Sequence, residues 1–237
     1  MTGTRPLIGM IVPPADGAVP PEPPILYPDL AFCARGLALP RLTPDGYDTV
    51  IGQTAQLALE LKAEGATAVS LMGTSLSFYR GPTGNAQVLK AMAHATGLPV
   101  TTMTDSVLAA FRALNVTRLA VATAYTDAVN DALRAYLSNS GFDILALDAL
   151  HLTEVADIHA VRDADLSALG TRAVQAAPEA EALFISCGGL RTLSVIVPLE
   201  DQLGLPVISS ATAGAWGAAK LVGHNGRAAG YGQLFTL

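Results

Sequence analysis

Apolar residues along this chain follow two alternating rhythms. Short, nearly continuous apolar runs occur at 7–12, 66–72, 99–102, 118–123, 143–147, 182–186 and 206–209. Runs of this length with little polar alternation are what strands covered on both faces require. Between them lie windows with apolar residues at helical spacing. In the first, 47–64, Val50, Ile51, Leu57 and Leu61 line up before Gly65; the others are 86–95, 105–114, 127–137, 166–176, 192–203 and 211–221. Thr104 and Thr126 stand where N-caps belong. Alternation of strand and helix predicts an α/β protein with parallel sheets and helices on both faces.

One stretch breaks the rhythm. Nine of the fifteen prolines fall between Pro13 and Pro44. A segment this rich in proline is expected to lack regular structure. Tyr27, Leu30, Phe32, Leu37, Leu39 and Leu42 give it apolar anchors, so an ordered loop over 13–44 that covers a site is the expectation.

The chain also repeats itself. The segment Ala68-Val69-Ser70-Leu71-Met72-Gly73-Thr74-Ser75-Leu76 aligns with Ala182-Leu183-Phe184-Ile185-Ser186-Cys187-Gly188-Gly189-Leu190, and Gly97-Leu98-Pro99-Val100 aligns with Gly204-Leu205-Pro206-Val207. The run 7–12 corresponds in the same way to 119–123. Two similar lobes follow, one of residues 1–115 with 213–237 and one of residues 116–212. A pseudo-two-fold between them would set equivalent loops face to face. Ligands of open α/β sheets bind beyond the carboxyl ends of the strands, where Gly73-Thr74-Ser75 and Cys187-Gly188-Gly189 both sit.

Composition narrows the chemistry. Apolar residues make up 51% of the 237 residues and charged ones 14%, with a net charge of −6. Such a chain can bury a large core, and its charge disfavours nucleic acid or an anionic membrane as partner. The longest uncharged stretch, 202–219, is broken by Pro206, glycines and hydroxyl residues, so no membrane span and no secretory leader are expected. Two cysteines predict a reduced, cytoplasmic protein. His94, His151, His159 and His224 are scattered, no CxxC or HExxH occurs, and no glycine-rich phosphate loop is present. Neither a metal nor a cofactor is expected.

The two turns carry what chemistry remains. Both consist of small residues whose backbone N–H groups can face a cleft and bind carboxylate oxygens. Thr74 and Ser75 add hydroxyls. Cys187 places a thiol at a strand end ahead of a helix, where a dipole can stabilise a thiolate, whereas Cys33 has no such context and reads as structural. The equivalent of Cys187 in the other half is Gly73. Two facing thiols could remove a proton from one face of a carbon and return it on the other; a lone thiol serves one face only.

These turns resemble those of the aspartate/glutamate racemase superfamily. Within it the chain resembles the arylmalonate decarboxylase family through segments 8–14, 26–30, 43–48, 69–81, 122–125 and 186–190. The resemblance implies two Rossmann/flavodoxin-like lobes with parallel sheets and an active site in the cleft between them. It implies cofactor-free decarboxylation of α-aryl or alkenyl malonates to enantioenriched acids, with Cys187 as proton donor. Gly73, Thr74, Ser75, Tyr125 and Gly188 would hold a carboxylate and then the enediolate. Pro13, Pro14, Leu39, Leu42, Tyr47, Leu76, Val155 and Ile158 would line an apolar pocket. The implied partner is a small-molecule malonate, and a monomer is expected. Maleate isomerases and amino-acid racemases of the superfamily keep both cysteines, so Gly73 speaks against them; a non-catalytic carboxylate-binding protein remains the alternative of another class.

Overall fold

The computed structural model describes residues 5–237. The first half runs β1 (Leu7–Val12), α1 (Glu22–Leu26), β2 (Ala31–Gly36), α2 (Pro44–Val50), α3 (Thr54–Ala63), β3 (Ala68–Leu71), α4 (Thr74–Phe78), α5 (Gly81–Thr96), β4 (Val100–Thr102) and α6 (Met103–Ala113). The second runs β5 (Arg118–Thr123), α7 (Asp127–Asn139), β6 (Asp143–Ala149), α8 (Val155–His159), α9 (Asp163–Gln175), β7 (Ala182–Ser186), α10 (Leu193–Leu203), β8 (Val207–Ser209) and α11 (Ser210–Leu221). Each half forms one four-stranded sheet. The orders are β2-β1-β3-β4 and β6-β5-β7-β8, with every pairing parallel. The protein is therefore α/β with two lobes of the same topology, as the duplication predicts.

The repeated Gly-Leu-Pro-Val block now has a physical reason. Gly97 and Gly204 end α5 and α10 in the left-handed region, at φ 67° and 70°, where a side chain is strained and glycine is not. Leucine and proline then carry the chain out of the helix, and the valine opens β4 in one lobe and β8 in the other. Each strand ends on a hydroxyl residue that caps the next helix. Thr102 Oγ1 accepts from the Asp105 amide and Ser209 Oγ from the Thr212 amide, both at 3.2 Å.

Helices α6 and α11 meet each other and join the lobes. A Cβ at Gly217 of α11 would land on Ser106 of α6, so these helices approach more closely than bulkier residues allow. Phe111 of α6 reaches into the second lobe, with its ring edge-to-face on Phe142 at 5.1 Å and on Phe184 at 5.2 Å. This seam fixes the two sheets with their carboxyl ends toward a shared cleft.

Several expectations need correction. The Pro-rich stretch is not free of regular structure: it contributes α1 and the edge strand β2, whose residues pair with β1 from Leu7↔Ala31 to Val12↔Gly36. As the edge strand, β2 pairs on one side only and stays mostly half-buried, so no continuous apolar run announces it. The window 47–64 is not one helix. Pro44 at the first turn and Thr43, whose Oγ1 accepts from the Gly46 amide, start α2 early, and a 3-10 turn at Ile51–Gln53 separates it from α3. Thr104 does not cap α6; Thr102 does. Thr126 sits at the N-cap of α7, but its side chain makes no capping bond. No described helix is long and apolar enough to cross a membrane.

Candidate active site

A cavity of about 320 Å³ lies between the carboxyl ends of the two sheets. Val12, Met72 and the residues just beyond β5 and β7 form its base, because each of these strands ends there and hands the chain to a loop or helix. The cavity gathers Gly73, Thr74, Ser75, Tyr125, Cys187 and Gly188 on its polar side, and Pro13, Pro14, Leu39, Leu42, Val155 and Ile158 on its apolar side. The 13–44 segment closes over it partly through a bond between lobes: the Leu42 amide donates to the Thr153 carbonyl at 3.1 Å.

The first-lobe turn is the start of α4. Gly73 holds extended backbone at its N-cap, and the first-turn amides of Thr74 and Ser75 have no carbonyl within the helix to satisfy. A relay of hydroxyls fixes this turn. Thr104 Oγ1 donates to the Thr74 carbonyl at 3.0 Å, and Ser77 Oγ, 2.6 Å from Thr104 Oγ1, reaches the Gly73 and Thr74 carbonyls at 3.0 and 2.9 Å. Thr104, inside the first turn of α6 with Thr102 at its N-cap, thus braces the donor turn. Thr74 Oγ1 donates to Met103 Sδ at 3.0 Å.

The second-lobe turn is irregular. The Leu190 amide closes it onto the Cys187 carbonyl at 3.2 Å. Helix α10 begins only at Leu193, so Cys187 does not stand at a helix N-terminus as its sequence setting predicts. The thiol is 4% exposed. Burial pushes its pKa up to about 11, with the Gly189 and Leu190 amides and the Tyr125 hydroxyl pulling the other way. Burial outweighs these donors, so the group is a neutral thiol across the physiological range. Tyr125 is buried as well. Burial, then the neighbouring thiol, keeps its hydroxyl protonated, and Ser186 Oγ approaches that hydroxyl at 3.4 Å.

The turns are close together. A Cβ at Gly188 would lie 2.9 Å from Met103 Sδ and 3.6 Å from the Met72 carbonyl, so the second turn packs directly on the first lobe and a side chain there would have to displace the end of Met103. Gly73 has another constraint. Its φ of −142° suits any residue, and a Cβ there would meet one side chain, with Leu76 Cδ1 at 2.7 Å and Leu76 Cβ at 3.2 Å.

Two expected wall residues lie behind the wall. Leu76 points under Gly73 and lines a separate groove on the far side of α4. Tyr47 is fully buried, with its ring on Tyr79 at 5.0 Å and its hydroxyl next to Ser75 and near Cys187. Among the described residues that hydroxyl has no hydrogen-bond partner. Both supporting residues come from helices that back the donor turn, a depth that sequence spacing cannot reveal. Cys33 is half-buried on the edge strand β2, away from the cavity. Met72, Met103, Gly189 and Ala211 also line the cavity, as do Asp16, Glu22, His159 and Arg191, none of which the sequence reading nominated. A signal for Met103 and Ala211 existed: the repeated Gly-Leu-Pro-Val strands end at the same level as the two turns, so the helices after them begin at the cavity.

Comparison with known proteins places this geometry. The family model described as arylmalonate decarboxylase matches residues 8–235. An arylmalonate decarboxylase from Bordetella bronchiseptica is 50% identical over 98% of this chain and 97% of its own. A maleate isomerase from Nocardia farcinica is 28% identical over 88% of this chain and 87% of its own. The crystal structure of a liganded arylmalonate decarboxylase variant, with one glycine changed to cysteine and one cysteine to serine, superposes with a TM-score of 0.95 at 49% identity, covering 97% of this chain and 98% of that one.

Proposed function

The chain belongs to the arylmalonate decarboxylase family, and we propose that it removes CO2 from α-aryl or alkenyl malonates without a cofactor and returns a proton to one face of the product. The observation that carries this reading is the pair of facing turns with a single thiol, Cys187, against Gly73. One malonate carboxylate would take the amides and hydroxyls at Thr74, Ser75, Tyr125 and Gly188. The other would lie against Leu39, Leu42, Val155 and Ile158, where a neutral CO2 is more at ease than a carboxylate. When the bond to the departing carboxylate breaks, its electron pair moves onto the retained carboxylate as an enediolate. Donors already aimed at that charge need no reorganisation, and each is worth about 100- to 1000-fold in rate.

Cys187 would then donate its proton to the α-carbon and take one back from water before the next turnover. A thiol held at about pKa 11 is fully protonated at neutral pH, as an acid must be. Gly73 offers no group on the opposite face, so one enantiomer forms. That same asymmetry favours a decarboxylase over a maleate isomerase or racemase, whose chemistry needs both thiols.

The lobe division at 1–115 with 213–237 and 116–212 belongs to this reading. Its support is that α11 returns to pack on α6, α1, β3 and β4. A free thiol used as an acid suits a reducing compartment, and a cytoplasmic monomer is the state we assign. The test is CO2 release from phenylmalonate in buffer containing a chelator, with chiral chromatography of the phenyl-substituted product of an α-methylated substrate. Release with one enantiomer dominant is expected; binding of the malonate in calorimetry without release would leave a carboxylate-binding protein instead.

A further inference from the structure

The cavity is lined by charged side chains that the decarboxylation does not use, Asp16, Glu22 and Arg191 among them. Glu22, in the first turn of α1, is only 4% exposed, yet it lines the cavity. Burial raises its pKa, opposed by its own backbone amide and, at longer range, by Arg191. Among the described residues no other donor reaches its carboxylate, and no salt bridge to Arg191 is closed. Arg191 belongs to the other lobe, four residues beyond Cys187, and is exposed at the same cavity. Pro13, Pro14, Val19, Pro20 and Pro21 line the same cavity with apolar surface. In a chain with only 14% charged residues, an acid left this dry beside a substrate cavity needs a partner.

We infer that Glu22 and Arg191 form a second polar pole that selects malonates whose aryl ring carries a hydroxyl group. A hydroxyl can donate to the carboxylate and accept from the guanidinium at once. An ammonium substituent would face Arg191 and an anionic one would face Glu22, so each is repelled by one member of the pair. A hydroxyl completes the hydrogen bonding without leaving either charge opposed. The inference rests on the decarboxylase reading.

The test compares kcat/KM for phenylmalonate, its 3- and 4-hydroxyphenyl analogues and the corresponding methoxy compounds, whose oxygen can accept but not donate. At least one hydroxyphenyl compound should exceed its methoxy partner by about tenfold, the scale of one hydrogen bond to a charged group. Glu22→Gln and Arg191→Met should each bring that ratio toward one, and ring electronics cancel in this comparison between variants. Arg191 is exposed, so its variant keeps the test sound should Glu22→Gln fold poorly. Parity in the unaltered protein would overturn the inference. So would an equal loss on every substrate in both variants, which would mean that Glu22 serves only the first turn of α1. Turnover of phenylmalonate without hydroxyl preference sinks this inference alone, whereas no CO2 from any of the compounds removes the decarboxylase reading and this one with it.

Discussion

The two lobes share a topology, a strand order and even the glycines that end corresponding helices, yet their turns at the cleft do different work. In the first lobe Gly73-Thr74-Ser75 winds at once into α4, presenting amides and hydroxyls pinned by Thr104 and Ser77. In the second, Cys187-Gly188-Gly189 stays irregular and presents a buried thiol flanked by residues small enough to reach the first lobe. A duplicated fold thus supplies a symmetric frame, and the three differences between its aligned turns separate charge stabilisation from proton donation.

The largest break in that comparison is Cys187→Ser. Loss of a general acid should lower kcat by about 1000-fold with the circular dichroism spectrum unchanged, measured on phenylmalonate; a rate near that of the unaltered protein would sink the assignment. Moving the thiol tests the frame itself. Gly73→Cys combined with Cys187→Ser should give the opposite enantiomer on chiral chromatography, since Gly73 has backbone dihedrals open to any residue and the new Cβ meets only Leu76, whose side chain must shift to admit it. Retention of the original handedness in that double variant would refute the facing-turn geometry.

Smaller effects sharpen it. Thr74→Val should cost about 100-fold in kcat, with little change in KM if the hydroxyl acts on the developing enediolate more than on the bound malonate. The buried thiol also predicts a pH effect on folding. In the unfolded chain a cysteine titrates near pH 8.5, and in the native protein at about 11. Between those values the unfolded state has released its proton and the native state has not, so stability falls as pH rises. The contribution of Cys187 is at most about 3 kcal/mol at the top of that window; urea titrations at pH 8 and pH 10.5 should show a shallower decline in Cys187→Ser. Finally, the equivalent caps can be compared directly. Thr102→Ala and Ser209→Ala should each lose about 1 kcal/mol of stability. Ser209 should cost more, since its hydroxyl also meets those of Thr192 at 2.6 Å and Thr212 at 2.9 Å.

Much of the fold was legible because its signals are local. Among the described residues, seven of the eight strands are marked by apolar runs, and the Gly-Leu-Pro-Val repeat exposes the duplication, because a left-handed helix end admits little besides glycine. The missing strand, β2, is an edge strand with a half-exposed surface, so its sequence carries neither a continuous run nor a clean alternation. The same limit applies to short helices. Helices α1, α4 and α8 have five residues each, too few for a period to be read.

At the cavity, the sequence by itself determined the reacting pair: the repeat aligns Cys187 with Gly73, and resemblance to the family adds the donors around them. Tertiary structure alone decided depth and direction. It put Leu76 beneath Gly73 and Tyr47 behind Ser75, brought Glu22 and Arg191 from separate lobes to one mouth, and raised the thiol by burial where its sequence setting suggested a stabilised thiolate. Spacing along a chain reports which residues share an element. Desolvation and the approach of residues distant in sequence depend on how elements pack, and only the assembled lobes fix that.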